Sequence, residues 1–130
     1  MKKILPIFLA ALLLAGCAAP VEEITYRQVN MDEAITMMEE GSGYIILDVR
    51  TPEEFAERHI PGAINIPNET ISTEEIPELP DKDQLILVYC RSGNRSKQAS
   101  EKLVALGYTN IVEFGGINDW PGKTVSGTGL

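Results

Sequence analysis

Apolar and polar positions divide the chain into short runs with two different periods. Leu85-Ile86-Leu87-Val88-Tyr89 is a continuous apolar run of strand-forming residues. It stops at Cys90, and after Arg91-Ser92-Gly93-Asn94-Arg95-Ser96 the period changes. Ala99, Leu103 and Leu106 fall at helical spacing among Lys97, Gln98, Glu101 and Lys102, with Gly107 where helices commonly end. The unit reads as strand, tight loop and helix. Tyr44-Ile45-Ile46-Leu47 is a second continuous apolar run, as expected of a strand buried on both faces. Thr51-Pro52-Glu53-Glu54 then starts a short helix ending near Arg58: a capping threonine, proline at the first helical position, and glutamate three residues after the cap.

The rest of the pattern is weaker. Ile24 to Val29 predicts an edge strand, and Asn30-Met31-Asp32-Glu33 a capped helix start. Ala34, Ile35 and Met38, with Met31, form a helical core stripe up to Glu40, ended by Gly41-Ser42-Gly43. His59-Ile60-Pro61-Gly62 reads as a turn before a short strand, Ala63 to Ile66. Residues 67–83 are rich in proline and acid and read as a surface connection, with a one-turn helix at Thr73-Glu74-Glu75. Asn110 to Glu113 predicts another strand, Phe114-Gly115-Gly116 a turn, and Ile117 to Trp120 a helical turn whose indole packs in the core near the Cys90 loop. Strands alternating with helices give an α/β domain whose central sheet is mainly parallel, with the Cys90 loop at a strand's carboxyl end, where such folds form their crevice.

Charge narrows the partners. The 130 residues carry a formal net charge of −8, which argues against nucleic acid and against a basic membrane-docking surface. His59 is the single histidine, so a cysteine–histidine protease would rest on it alone; as a turn residue it is better read as hydrogen-bonded than as a general base. Cys90, His59 and the scattered carboxylates lack metal-ligand spacing.

Cys90 carries the chemistry. A cysteine that leaves a strand and faces a helix amino terminus has loop amides and a positive dipole end turned toward its sulfur, and both favour thiolate. Lowering a thiol pKa from about 8.5 to about 6.5 requires about 2.7 kcal/mol, while a helix terminus supplies roughly 0.3–1 kcal/mol. Hydrogen bonds to the anion, at roughly 1.5–3 kcal/mol each, must supply the remainder. The amides between Arg91 and Ser96, with Gly93 letting the backbone turn inward, are the candidates, and Arg91 and Arg95 add positive charge. The competing reading is a buried structural cysteine. Two arginines, a glycine and an asparagine beside it fit that reading poorly.

This heptapeptide after an apolar strand resembles the active-site loop of the rhodanese-like sulfurtransferases. Leu47-Asp48-Val49-Arg50, Glu53-Glu54-Phe55, His59-Ile60-Pro61-Gly62-Ala63-Ile64-Asn65-Ile66-Pro67, and Gly115-Gly116 with Trp120 resemble further landmarks of that family, in the right order. Arg58 departs from it, since many members carry glycine before the histidine. The resemblance implies a three-layer rhodanese-like fold and sulfur transfer without a cofactor. Cys90 would attack a small sulfur donor, thiosulfate or a persulfide, and hold the sulfur as a persulfide until a thiol or cyanide acceptor removes it. Arg91, Ser92, Gly93, Asn94, Arg95 and Ser96 would bind the donor and the terminal sulfur. Asp48 and Arg50 are read as bracing the loop by ion pairing, and His59 as structural support.

Three other readings stay open. They are a persulfide carrier, a noncatalytic binding module, which would lack the nucleophile that this chain keeps, and a cysteine-dependent phosphatase or arsenate reductase. Loop length bears on the last: Cys90 and Arg95 enclose four residues, whereas the tyrosine-phosphatase signature that the loop resembles has five. Asp119 is a general-acid candidate only by its place beside Trp120, and reads better as a solvated surface residue.

The chain begins with the basic Met1-Lys2-Lys3, an apolar stretch from Ile4 to Leu14, and Leu14-Ala15-Gly16-Cys17. The apolar core is too short to span a bilayer and has the layout of a secretory signal. Its small residues ending at cysteine resemble a bacterial lipobox, which implies acylation (palmitate) of Cys17 and export to the extracytoplasmic face of a membrane. An ordinary signal peptide and an uncleaved anchor are the alternatives. The expected organisation is a signal peptide over residues 1–16, a tether over 17–23, a rhodanese-like domain over 24–122 and a loose tail over 123–130. Loss of Lys2 and Lys3 would bring the charge to −10, leaving the lipid as the attachment. With Cys17 acylated, Cys90 is the only thiol left, so no internal disulfide can form. Cys17→Ala is expected to block processing or to release the protein from membranes, checked by cell fractionation; a processed variant that stays bound as fully as the parent refutes the lipobox.

Overall fold

The computed structural model describes residues 25–128; the expectations for the signal peptide, Cys17, the tether, Ile24 and residues 129–130 lie outside the described residues. Five strands, β1 (Arg27–Gln28), β2 (Ile45–Asp48), β3 (Ile64–Asn65), β4 (Ile86–Cys90) and β5 (Ile111–Gly116), form one sheet in the order β1-β5-β4-β2-β3. Every pairing is parallel. The helices are α1 (Met31–Glu40), α2 (Pro52–Glu57) and α3 (Asn94–Ala105). Both expected capping boxes form. Asn30 and Glu33 close the start of α1, and Thr51 and Glu54 that of α2, with Pro52 in the first turn.

β4 sits in the middle of the sheet, and its two faces serve different layers. Ile86, Val88 and Cys90 join Leu47, Val49, Ala99, Leu103 and Tyr108 in the core beneath α3. Leu87 and Tyr89 point the other way, into a second core with Ala34 of α1, Phe55 of α2, Val112 and Phe114. Helices therefore cover both faces, which gives the three-layer α/β arrangement that the strand–helix alternation implies.

Four local expectations are corrected. The segment Phe114-Gly115-Gly116 is not a turn but the end of β5, where the register with β4 shifts between Val88 and Cys90. Pairing with β4 overrides the turn propensity of the glycines, and a left-handed Gly115 (φ 100°) absorbs the extra residue. The one-turn helix lies at Asn68–Thr70, not at Thr73-Glu74-Glu75, because Asn68 is tied to α3 through Gln98 and Lys102. The connection that contains it is more than surface, since Ile71 and Leu79 enter the core and Tyr108 Oη donates to the Leu79 carbonyl at 2.6 Å. The tail is not loose over its described part: Val125 and His59 exchange both backbone hydrogen bonds, at 2.8 and 3.0 Å, and Gly127 N–H donates to Ala56 at 2.7 Å. Trp120 is half-buried and meets Ile35, Met38 and Glu39 of α1 around one hollow.

Tyr89 links the layers at the site end of the sheet. Its buried hydroxyl accepts from the Ile60 amide at 3.1 Å, and burial, reinforced by nearby Asp48, pushes its pKa far above the ordinary tyrosine value. Tyr89→Phe keeps the ring but strands the Ile60 N–H, so it is expected to destabilise by about 1–3 kcal/mol. Urea unfolding checks this as a lowered midpoint at unchanged slope.

Candidate active site

Cys90 is the last residue of β4 and is 1 % exposed. Gly93 caps α3 in the left-handed region (φ 119°), and this turn points its N–H at Cys90 Sγ, 3.0 Å away. Among the described residues this is the loop amide bonded to the sulfur. Ser96, in the first turn of α3 and fully buried, places Oγ 3.4 Å from Sγ. Ser92 and Asn94 are exposed on the rim. The loop lies hard against β5: Asn118 N–H donates to the Arg91 carbonyl at 3.2 Å, and a Cβ on Gly116 would overlap that same carbonyl.

Two carboxylates complete the surroundings. Glu54 of α2 takes Arg95 in a two-point pair at 2.7 and 3.1 Å and also Arg91 Nε at 3.2 Å. The hydrogen bonds from Arg95, with burial opposing and Thr51 assisting, hold the Glu54 carboxyl well below the usual carboxylate range. Glu54 in turn raises the Arg95 pKa, with a smaller contribution from Cys90. The second carboxylate, Glu113 of β5, is 2 % exposed and lies behind the loop. Its Oε2 accepts from Ser96 Oγ at 2.6 Å and from Gly115 N–H at 2.9 Å, and its Oε1 from Gln28 Nε2 at 3.3 Å.

A parallel α/β sheet with a cysteine cradled at the carboxyl end of its central strand is matched by comparison with known proteins. The model of the Rhodanese-like domain family matches residues 30–123. The chain belongs to the rhodanese-like family. Thiosulfate sulfurtransferase PspE of Escherichia coli K12 is 41% identical over 73 residues, covering 56% of this chain and 70% of the relative. Thiosulfate sulfurtransferase GlpE of Pseudomonas entomophila is 30% identical over 107 residues, covering 78% and 94%. A solved structure described as a rhodanese with anions from E. coli superposes with a TM-score of 0.59 at 38% identity, covering 65% of this chain and 99% of that one. Residues 1–18 match the prokaryotic membrane lipoprotein lipid attachment site, the mark of a lipid-anchored membrane protein.

In this rhodanese-like domain the remaining sequence-derived residues lie at varied distance from the chemistry. Asp48 and Arg50 form a buried pair, with Arg50 Nη2 2.7 Å from Asp48 Oδ2, and Arg50 also donates to the Arg58 carbonyl at 2.6 Å. Burial works against the Arg50 charge, but the hydrogen bond and charge of Asp48 outweigh it and raise its pKa. Asn65 ties the pair's backbone to β3 through both carbonyls, at 3.0 Å each. His59 stacks on Phe55 at 3.7 Å and its Nδ1 donates to the Phe55 carbonyl at 2.8 Å, so its contacts are with α2 and the tail. No group of three or more metal-ligating side chains occurs among the described residues. Asp119 is exposed and borders a hollow with Lys97, Ser92, Gly93 and Glu113.

Sequence reasoning missed Glu54 and Glu113 as site residues. Glu54 was visible as a helix cap and within the landmark Glu53-Glu54-Phe55, without a site role; a lone carboxylate in the apolar run Ile111-Val112-Glu113-Phe114 was the signal available for Glu113. Because the Glu54 pKa is depressed by folding, its stabilisation is present above the unfolded value of about 4.3 and is lost as pH falls toward the folded one. Glu54→Gln is expected to cost about 1 kcal/mol near neutral pH, allowing for solvent screening. In urea titrations at a series of pH values, the gap from the parent should close as pH drops below about 4.

Proposed function

We propose that the protein is a sulfurtransferase that moves a sulfane sulfur from a donor such as thiosulfate or a persulfide to a thiol or cyanide through a persulfide on Cys90. The observation that carries this reading is the sulfur of Cys90 at the carboxyl end of β4, held by the Gly93 amide at 3.0 Å in a family of sulfur-handling proteins. The thiolate attacks the outer sulfur of the donor. The donor's S–S bond breaks with its electron pair leaving on the remainder, sulfite in the case of thiosulfate, and Cys90 keeps the transferred sulfur. An acceptor nucleophile then attacks that terminal sulfur, and the electron pair of the Cys90–sulfur bond returns to Cys90. The amino end of α3 faces the sulfur through both steps, and the positive charge of Arg95, held by Glu54, adds to the field there. Asp48, Arg50 and Asn65 act as braces beneath the crevice, and His59 as a support of α2. The lipid on Cys17 holds the domain at the extracytoplasmic face of a bacterial membrane.

The four-residue spacing between Cys90 and Arg95 supports sulfur over phosphorus, since a ring sized for one terminal sulfur is too tight for a tetrahedral oxyanion. The fork of Arg95 is also occupied by Glu54, which leaves it poorly placed for two-point binding of a phosphate. Intact mass after thiosulfate should reveal one extra sulfur on Cys90, removed by cyanide or a thiol. Cys90→Ser should abolish the gain with the unfolding midpoint nearly unchanged, because serine fills the cradle but is a poor nucleophile toward sulfur. Hydrolysis of p-nitrophenyl phosphate that depends on Cys90, with no persulfide from any sulfane donor, would overturn the assignment.

A further inference from the structure

Glu113 is out of character for its position. It stands on a central strand between Val112 and Phe114, all three buried, and no cation lies within salt-bridge distance of it among the described residues. A charged carboxylate so placed relies on neutral donors, here Ser96 Oγ–H, Gly115 N–H and Gln28 Nε2–H. The bulge at Gly115 bends the end of β5 so that this carboxylate and the cysteine flank the same hydroxyl. Sγ lies 3.4 Å from Ser96 Oγ, and Ser96 Oγ lies 2.6 Å from Glu113 Oε2. The donor order runs one way along this chain: thiol to hydroxyl, hydroxyl to carboxylate.

We infer that Glu113 is a positioning residue that receives the Cys90 proton through Ser96. The S–H bond of Cys90 breaks and its proton passes to Ser96 Oγ as the hydroxyl proton of Ser96 passes to Glu113 Oε2. The electron pair stays on sulfur. The pair's total charge is unchanged, but the negative charge moves from a carboxylate without a cationic partner to a sulfur that accepts from the Gly93 amide at the amino end of α3. Ser96 then donates to the thiolate and Glu113 donates to Ser96, so each hydrogen bond in the chain persists in reversed sense. No water and no histidine is required, consistent with His59 being engaged by Phe55. The other charged or titratable groups facing the pair are Tyr26 beside β1, Lys97 on α3 and Asp119 after β5, together with Arg95, Arg91 and the Glu54 that binds both arginines.

The proton path serves the sulfurtransferase reading, but its test uses no sulfur donor. Alkylation of Cys90 by iodoacetamide in the full-length protein, followed on the Cys90 peptide by mass, is measured across a wide pH range. Where thiolate with protonated carboxyl exchanges with thiol plus carboxylate, no proton is gained or lost, so the thiolate share is independent of pH and the logarithm of the rate has a flat stretch below its main rise. In Glu113→Gln, which keeps the shape but cannot take the proton, the stretch should vanish and the rate should fall about tenfold per pH unit throughout. Ser96→Ala should do the same, and Ser96→Thr, which keeps a hydroxyl, should restore the flat stretch. If Glu113→Gln fails to fold, the two Ser96 variants carry the comparison. A parent profile with a single rise, or a flat stretch that survives in Glu113→Gln or Ser96→Ala, overturns the inference. Persulfide formation with thiosulfate, read separately by intact mass, decides the sulfurtransferase reading, so the two can fail independently.

Discussion

β4 is hydrogen-bonded to β2 along one edge and to β5 along the other, and side chains from helices cover both its faces. A strand held on four sides cannot slide without breaking two ladders and turning its side chains into the wrong layers. A slip of one residue would send Cys90 toward α1 and α2, away from the helix that cradles it. Because the strand is locked, the chain has only Arg91, Ser92 and Gly93 in which to turn from β4 into α3. The left-handed Gly93 makes that turn and aims its amide at the sulfur. That amide contributes more than the dipole of α3, about 1.5–3 kcal/mol for a hydrogen bond to an anion against roughly 0.3–1 kcal/mol for a helix terminus.

Glu54 couples two helices across the top of the sheet. One carboxylate closes the capping box of α2 and binds both arginines of the cysteine loop. This makes the loop stiffer and also less positive than two free arginines would be. With Glu113 behind the loop and an acidic chain around it, long-range attraction of anions is weak. Under the sulfurtransferase proposal, an anionic donor would therefore be recognised by contacts at hydrogen-bond range, from the Gly93 amide and from the donor capacity that Glu54 leaves on Arg91 and Arg95.

Where local chemistry sufficed, the sequence alone determined the outcome. The capping boxes at Asn30 and Thr51, the buried runs of β2 and β4, the stripe Ala99–Leu103 of α3 and the loop that starts at Cys90 were all legible, since each is set by residues a few positions apart. The fold class followed from their order. Tertiary structure decided the rest, through partners distant along the chain. Gly115-Gly116 belongs to a strand only because β4 pairs with it, and the tail is fixed because His59 and Ala56 offer backbone partners to Val125 and Gly127. The same holds at the site. Glu54 meets Arg95 from 41 positions away and Glu113 meets Ser96 from 17, so neither carboxylate announces its role in its own neighbourhood. Local sequence sets caps, periods and turns, because those energies come from neighbours; which charges share a buried space is set by packing, which brings distant segments together only once the sheet has formed.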